Sequence, residues 1–217
     1  MRTIQRTPLT ALAIAAVAVF GLAGCTSMTP AEESSAPAME QPSDEPMTDP
    51  AFADLVGPGC EAYAEQVPDG GGSIVGMAAD PVAVAASNNP LLTTLVAAVS
   101  GQLNPDVNLV DTLNGSEFTV FAPVDDAFAK LDPATVESLK LPENAALLSS
   151  ILTYHVVPGQ VLPADIVGDH ATVQGGSVTV SGSGDALMVN DANVICGGVH
   201  TANATVYLID SVLMPPA

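Results

Sequence analysis

The spacing of apolar residues changes partway along this chain, and that change fixes the class of fold open to it. From residue 52 to residue 155 the period is mostly helical. Leu91, Leu92, Leu95, Val96 and Val99 share one helical face, and Leu147, Leu148, Ile151 and Leu152 form a second stripe. Short helices are expected over residues 60–67 and 106–113, ended by Pro68-Asp69-Gly70 and Asn114-Gly115. Asp80-Pro81, Asn89-Pro90, Asp125-Asp126 and Asp132-Pro133 read as helix starts, with Asp80 as N-cap and Pro81 at the first helical position. One strand interrupts them at residues 117–121, and Ala122-Pro123 breaks it. After Pro158-Gly159 the pattern is that of strands: residues 172–174, 177–181, 187–190, 193–196 and 205–208, punctuated by Gly175-Gly176, Ser183-Gly184 and Gly197-Gly198. Helices early and a strand meander late predict an α+β domain over residues 52–217, not alternating βαβ units. No segment recurs at a fixed period, which excludes a repeat array.

The N-terminus reads as an address. Residues 1–24 are expected to be a signal peptide, with Arg2 and Arg6 ahead of an apolar run over residues 9–20 that is too short to span a bilayer. Its end, Leu22-Ala23-Gly24-Cys25, resembles the lipobox of bacterial lipoproteins. That resemblance implies a diacylglyceryl group on Cys25, which becomes the mature N-terminus. The alternative is an ordinary signal cleaved just beyond it. Two acyl chains suffice for stable anchoring, where one is marginal. Residues 25–51 are rich in Pro, Ser, Thr, Ala and acids without periodicity, as in a solvated tether, either plain or O-glycosylated. The expected location is therefore the extracytoplasmic face of the cell membrane, lipid-anchored and partly shed.

Charge narrows the partners. Arg2 and Arg6 leave with the signal, so the mature chain sets Lys130 and Lys140 against 24 acids, a formal charge of −22. From Phe52 onward the balance is 18 acids to two lysines, or −16. Such a surface does not bind nucleic acid or dock on anionic lipid through a basic patch. Any partner bound by charge is expected to be basic, with an attraction that salt weakens. A hydrophobic content of 48% excludes a wholly disordered chain.

A search for chemistry assigns no catalytic residue, metal site or cofactor. There is no Gly-x-Ser-x-Gly elbow and no His-Glu-x-x-His. Gly70-Gly71-Gly72-Ser73 lacks the lysine of a phosphate loop and reads as a flexible turn; Gly182-Ser183-Gly184 reads as a hairpin turn. His155, His170 and His200 show no shared face for a metal. Asp125-Asp126 suits a helix N-terminus without further purpose. Asn114-Gly115-Ser116 and Asn203-Ala204-Thr205 match glycosylation acceptors and read as incidental. Once Cys25 is set aside, Cys60 and Cys196 are free to pair.

Three segments together resemble the fasciclin domain, in order and spacing. They are residues 119–128 (Thr-Val-Phe-Ala-Pro-Val-Asp-Asp-Ala-Phe), 152–157 (Leu-Thr-Tyr-His-Val-Val) and 203–215 (Asn-Ala-Thr-Val-Tyr-Leu-Ile-Asp-Ser-Val-Leu-Met-Pro). Residues 52–60 and 196–205, with the lipobox, resemble the family's mycobacterial branch of immunogenic surface lipoproteins and their secreted relative. The resemblance implies a β-sheet wedge flanked by short helices and a bridge between Cys60 and Cys196. Buried thiols or a redox dithiol are the competing readings, and the missing Cys-x-x-Cys spacing disfavours the second. Phe121 and Phe128 are expected as core anchors about Pro123. Tyr154-His155 is expected to order the core by hydrogen bonding, and Tyr207 to face outward or bond at the rim. The implied function is non-catalytic adhesion or recognition at the cell surface. Host-cell, matrix, envelope or innate-immune receptor proteins are the expected partners. An envelope carrier of a small apolar ligand or lipid is the alternative, and a large closed pocket would favour it.

Overall fold

The computed structural model describes residues 49–216; the signal peptide, Cys25 and nearly all of the tether lie outside the described residues. The helices are α1 (Cys60–Gln66), α2 (Ile74–Met77), α3 (Val82–Ser87), α4 (Thr93–Val99), α5 (Val110–Asn114), α6 (Asp125–Ala129), α7 (Pro133–Leu139) and α8 (Ala145–Tyr154). The strands are β1 (Phe118–Pro123), β2 (Val156–Pro158), β3 (Gly168–Ala171), β4 (Ser177–Ser181), β5 (Met188–Val189), β6 (Ala192–His200) and β7 (Ala204–Ile209). This is the expected α+β arrangement, a sheet flanked by short helices.

The first and last strands lie side by side. Sheet order is β2-β1-β7-β6-β5-β4-β3, with β1 and β7 parallel and the other pairs antiparallel. Every residue of β1 and β7 is buried, as a parallel pair covered on both faces requires. Val206 and Leu208 are buried on one face as their alternation suggests, and Tyr207 and Ile209 are buried on the other. Phe118, Val120, Ala122, Val206 and Leu208 enter a core shared with the helices. Phe121, Tyr207 and Ile209 enter a second core with Val178, Val180 and Val189. The rings of Phe121 and Tyr207 lie 5.7 Å apart, tilted by 43°.

Several boundaries differ from expectation for local reasons. Residues 172–174 form the turn between β3 and β4, not a strand. Thr172 N–H and Oγ1–H both donate to Gly176 O (2.8 Å each), and Gly175 supplies φ +103°. From that turn Val173 N–H donates to Val156 O (2.8 Å), so the two ends of the sheet approach each other. Gly197-Gly198 does not end a strand but makes an irregularity inside β6. A Cβ on Gly197 would overlap the Tyr207 ring, and Gly198 has φ +77°. The bulge admits the N-terminal segment: Gly197 N–H donates to Val56 O (2.7 Å) and Val56 N–H to Gly197 O (3.0 Å). Residues 106–109 stay non-helical because Asn104 and Asn108 accept from Asp106 N–H and Val110 N–H, turning the chain before α5. Pro81 sits at the N-cap of α3 rather than its first residue, and α4 begins at Thr93, after a turn in which Asn89 accepts from Leu91 N–H.

Cys60 and Cys196 are bonded, joining α1 to β6 across a sequence separation of 136.

Candidate functional site

The central residues of the three boxes are buried, and hydrogen bonds join the boxes to one another. His155 is 3% exposed. Leu213 N–H donates to its Nε2 (2.9 Å), so the proton resides on Nδ1, which donates to Ile151 O (2.8 Å). One imidazole thus caps the last turn of α8 and holds the C-terminal segment. Burial pushes its pKa down to about 4, with the Ile151 carbonyl opposing. Tyr154 faces the second core. Its hydroxyl donates to Ser177 O (2.7 Å) and accepts from Asn190 Nδ2 (3.3 Å). Tyr207 is fully buried rather than outward-facing, and its hydroxyl donates to Val161 O (2.9 Å). Burial, then the charge of Asp54, raises its pKa. Phe121 is fully buried and Pro123 ends β1. Phe128, expected as an anchor, is only half-buried, because Ala127 takes the inward position of α6.

Two motif residues work at a distance, which sequence reasoning missed. Neither α3 nor α4 has a side-chain cap of its own. Asp125 supplies the cap for α4: Thr94 N–H (2.7 Å), Thr93 Oγ1–H (2.6 Å) and Thr93 N–H (3.3 Å) all donate to its carboxylate. Burial raises its pKa, but these bonds outweigh that and hold it below the usual carboxylate range. Asp125 therefore serves α4 rather than only the dipole of its own helix. Asn203 Oδ1 accepts from Val82 N–H (2.8 Å), at the start of α3, while Nδ2 donates to Leu113 O and Ser116 O (2.7 Å each). Asn114 Oδ1 accepts from Ala83 N–H (3.1 Å). Both glycosylation-like asparagines are therefore helix caps, and Asn203 engages its amide nitrogen as well. An uncapped helix start in the sequence signals that a cap comes from elsewhere, but not from which residue.

The glycine run is docked rather than free. Tyr63 donates to Gly72 O and accepts from Asn89 Nδ2 (2.8 Å), and a Cβ on Gly72 would overlap the Asn88 carbonyl. Burial pushes the Tyr63 hydroxyl up to about 12, against the Asn89 bond. The three histidines stay apart: His155 is in the core, His170 Nε2–H donates to Ile166 O (2.7 Å), and His200 Nε2 lies 3.0 Å from Asp54 Oδ2. Among the described residues no group of three or more His, Cys, Asp or Glu is placed to hold a metal ion. No described helix is long and apolar enough to cross a membrane.

Two concavities among the described residues bear on ligand binding. One is an apolar cavity of about 50 Å³ between the helices and the sheet, walled by Leu92, Leu95, Val120, Leu152 and His155. An apolar cavity of about 150 Å³ takes up benzene, and this one is about a third of that size. The other is an open groove of about 230 Å³ between α1 and the start of α6. Tyr63, Val124 and Leu208 are its buried apolar surface, and Gln66 and Asp126 are exposed on its two sides.

Comparison with known proteins matches the arrangement. The fasciclin domain matches residues 90–215. The chain is 57% identical over its whole length to the full cell surface glycolipoprotein MPB83 of Mycobacterium bovis. It is 65% identical over 167 residues to the immunogenic protein MPB70 of the same species, covering 77% of this chain and 86% of that one. Among solved structures, a fasciclin domain pair from the insect cell adhesion molecule fasciclin I superposes with a TM-score of 0.55 at 19% identity. That match covers 64% of this chain and 52% of the insect chain, and it speaks to the fold alone.

Proposed function

The chain belongs to the fasciclin family, and from that premise we propose that it is a non-catalytic recognition protein displayed at the cell surface on a lipidated Cys25. One observation carries the reading: similarity to a cell surface glycolipoprotein runs over the whole of both chains, leader and tether included. The leader ends in Leu22-Ala23-Gly24-Cys25, and the acidic stretch of residues 26–51 supplies reach. An acidic body on an acidic stalk resists collapse onto an anionic membrane.

The interior supports this role over that of a carrier. A drug-sized ligand occupies roughly 300–1,000 Å³, whereas the apolar cavity between the helices and the sheet is about 50 Å³. The motif residues Phe121, Tyr154, His155 and Tyr207 are at most 3% exposed. They set the shape of the body and leave contact with partners to exposed residues. Proximity labelling on intact cells, with a Cys25→Ala control, tests the proposal. Surface or host proteins labelled by the anchored chain, and lost with the control, are the expected result. Labelling of cytoplasmic proteins alone refutes it.

A further inference from the structure

We propose that the groove between α1 and the start of α6 receives a single arginine side chain presented by a partner protein. The inference rests on the recognition role above and names the chemistry of the contact. At about 230 Å³ the groove is smaller than the usual small-molecule pocket but well suited to one long side chain. Its buried surface, from Tyr63, Val124 and Leu208, matches the methylene stem of an arginine. Its sides are polar. Asp126 and Gln66 are exposed, and neither side chain takes a hydrogen bond or ion pair from the described residues. Asp125, beside them, is committed to α4. The groove thus offers one unengaged carboxylate and one amide oxygen. A guanidinium carries donors for both and is more weakly hydrated than an ammonium, so it loses less on entering a half-apolar site.

Charge complementarity points the same way. The two lysines of the body are already paired, Lys130 with Asp210 and Lys140 with Glu137, so neither competes for the groove. The chain's own tether is acidic, with no lysine or arginine to offer the groove. The site is also held in shape before binding. The Cys60–Cys196 bridge ties α1 to β6, and Gly59 N–H donates to Ile195 O (2.8 Å). Little ordering cost remains to be offset on association.

The test titrates the mature lipidated full chain, in detergent micelles, into a fluorescent heptapeptide carrying one arginine between leucines. A second peptide has the neutral isostere citrulline in its place. The arginine peptide is expected to bind, more weakly as salt rises, and the citrulline peptide to bind at least about fivefold more weakly. Asp126→Asn is expected to weaken arginine-peptide binding about fivefold, the loss of one charge-assisted hydrogen bond at a half-open site. Glu143→Gln removes the same charge at an exposed position outside the groove and is expected to change little. Equal loss in both variants, equal binding of citrulline, or no binding at all overturns the groove. Surface display is read separately, by impermeant labelling of intact cells. A failed groove leaves display intact, and failed display leaves the titration unchanged.

Discussion

Acid should loosen this fold through one residue, His155. Folded, its imidazole is neutral, because burial holds its pKa at about 4 rather than the ordinary 6.5. The unfolded chain takes up a proton below pH 6.5 that the folded chain refuses until about pH 4. Stability from this group is therefore complete above pH 6.5, falls as pH drops, and levels off below 4. The whole span is worth about 3 kcal/mol, and about 2 kcal/mol is gone by pH 5. The geometry gives the same sign, since a proton on Nε2 would face the Leu213 N–H that now donates to it. Urea unfolding from pH 7 to pH 4, run on the parent and on His155→Gln, isolates the effect. The variant is expected to be less stable at pH 7 by about 1–3 kcal/mol, as Ile151 O or Leu213 N–H loses its partner. Its disadvantage should shrink steadily toward pH 4, where the parent has lost its gain. Subtracting the two curves removes every contribution the two chains share. A difference that stays constant from pH 7 to pH 4 would refute the assignment of a buried neutral imidazole.

Other perturbations follow from the same contacts. Cys60→Ser opens a loop closed across 136 residues and is expected to cost about 5 kcal/mol in the chain-entropy model, read by urea unfolding. Two reactive thiols in unreduced, denatured Cys25→Ala protein would contradict the bridge. Asn203→Ala strips the cap of α3 and two further bonds, with an expected loss of about 2–4 kcal/mol; a loss below about 0.5 kcal/mol would show the bonds to be replaceable by water. Benzene at saturation is expected to leave Tm unchanged, because the apolar cavity beside His155 is about 50 Å³. A rise of a few degrees would return the carrier reading to favour.

How much of this was legible in the sequence depended on how local the cause was. The helical stripe through Leu148, Ile151 and Leu152 and the strand over residues 177–181 appear where expected, because period and turn residues act within a few positions. Burial on both faces of β7 was half legible. Val206 and Leu208 look inward by alternation, but Tyr207 and Ile209 are buried only because a second layer covers them. The long-range roles were illegible. Asp125 caps a helix that begins 32 residues earlier, and Asn203 caps one 121 residues away. Gly197-Gly198 looked like a strand end because glycine marks both turns and bulges, and only Tyr207 and Val56 decide which. The groove had no sequence signature, since its parts come from α1, α6, β6 and β7.

Display at the cell surface is tested most directly by labelling intact cells with a membrane-impermeant amine reagent. The chain has two lysines, Lys130 and Lys140, with side chains 55% and 43% exposed. Both are expected to be modified on intact cells, in a chain that stays with the membrane fraction. Cys25→Ala should shift the modified chain to the medium. Lysines that react only after lysis, or a Cys25→Ala chain that remains with the membrane, would contradict a lipid-anchored body displayed at the surface.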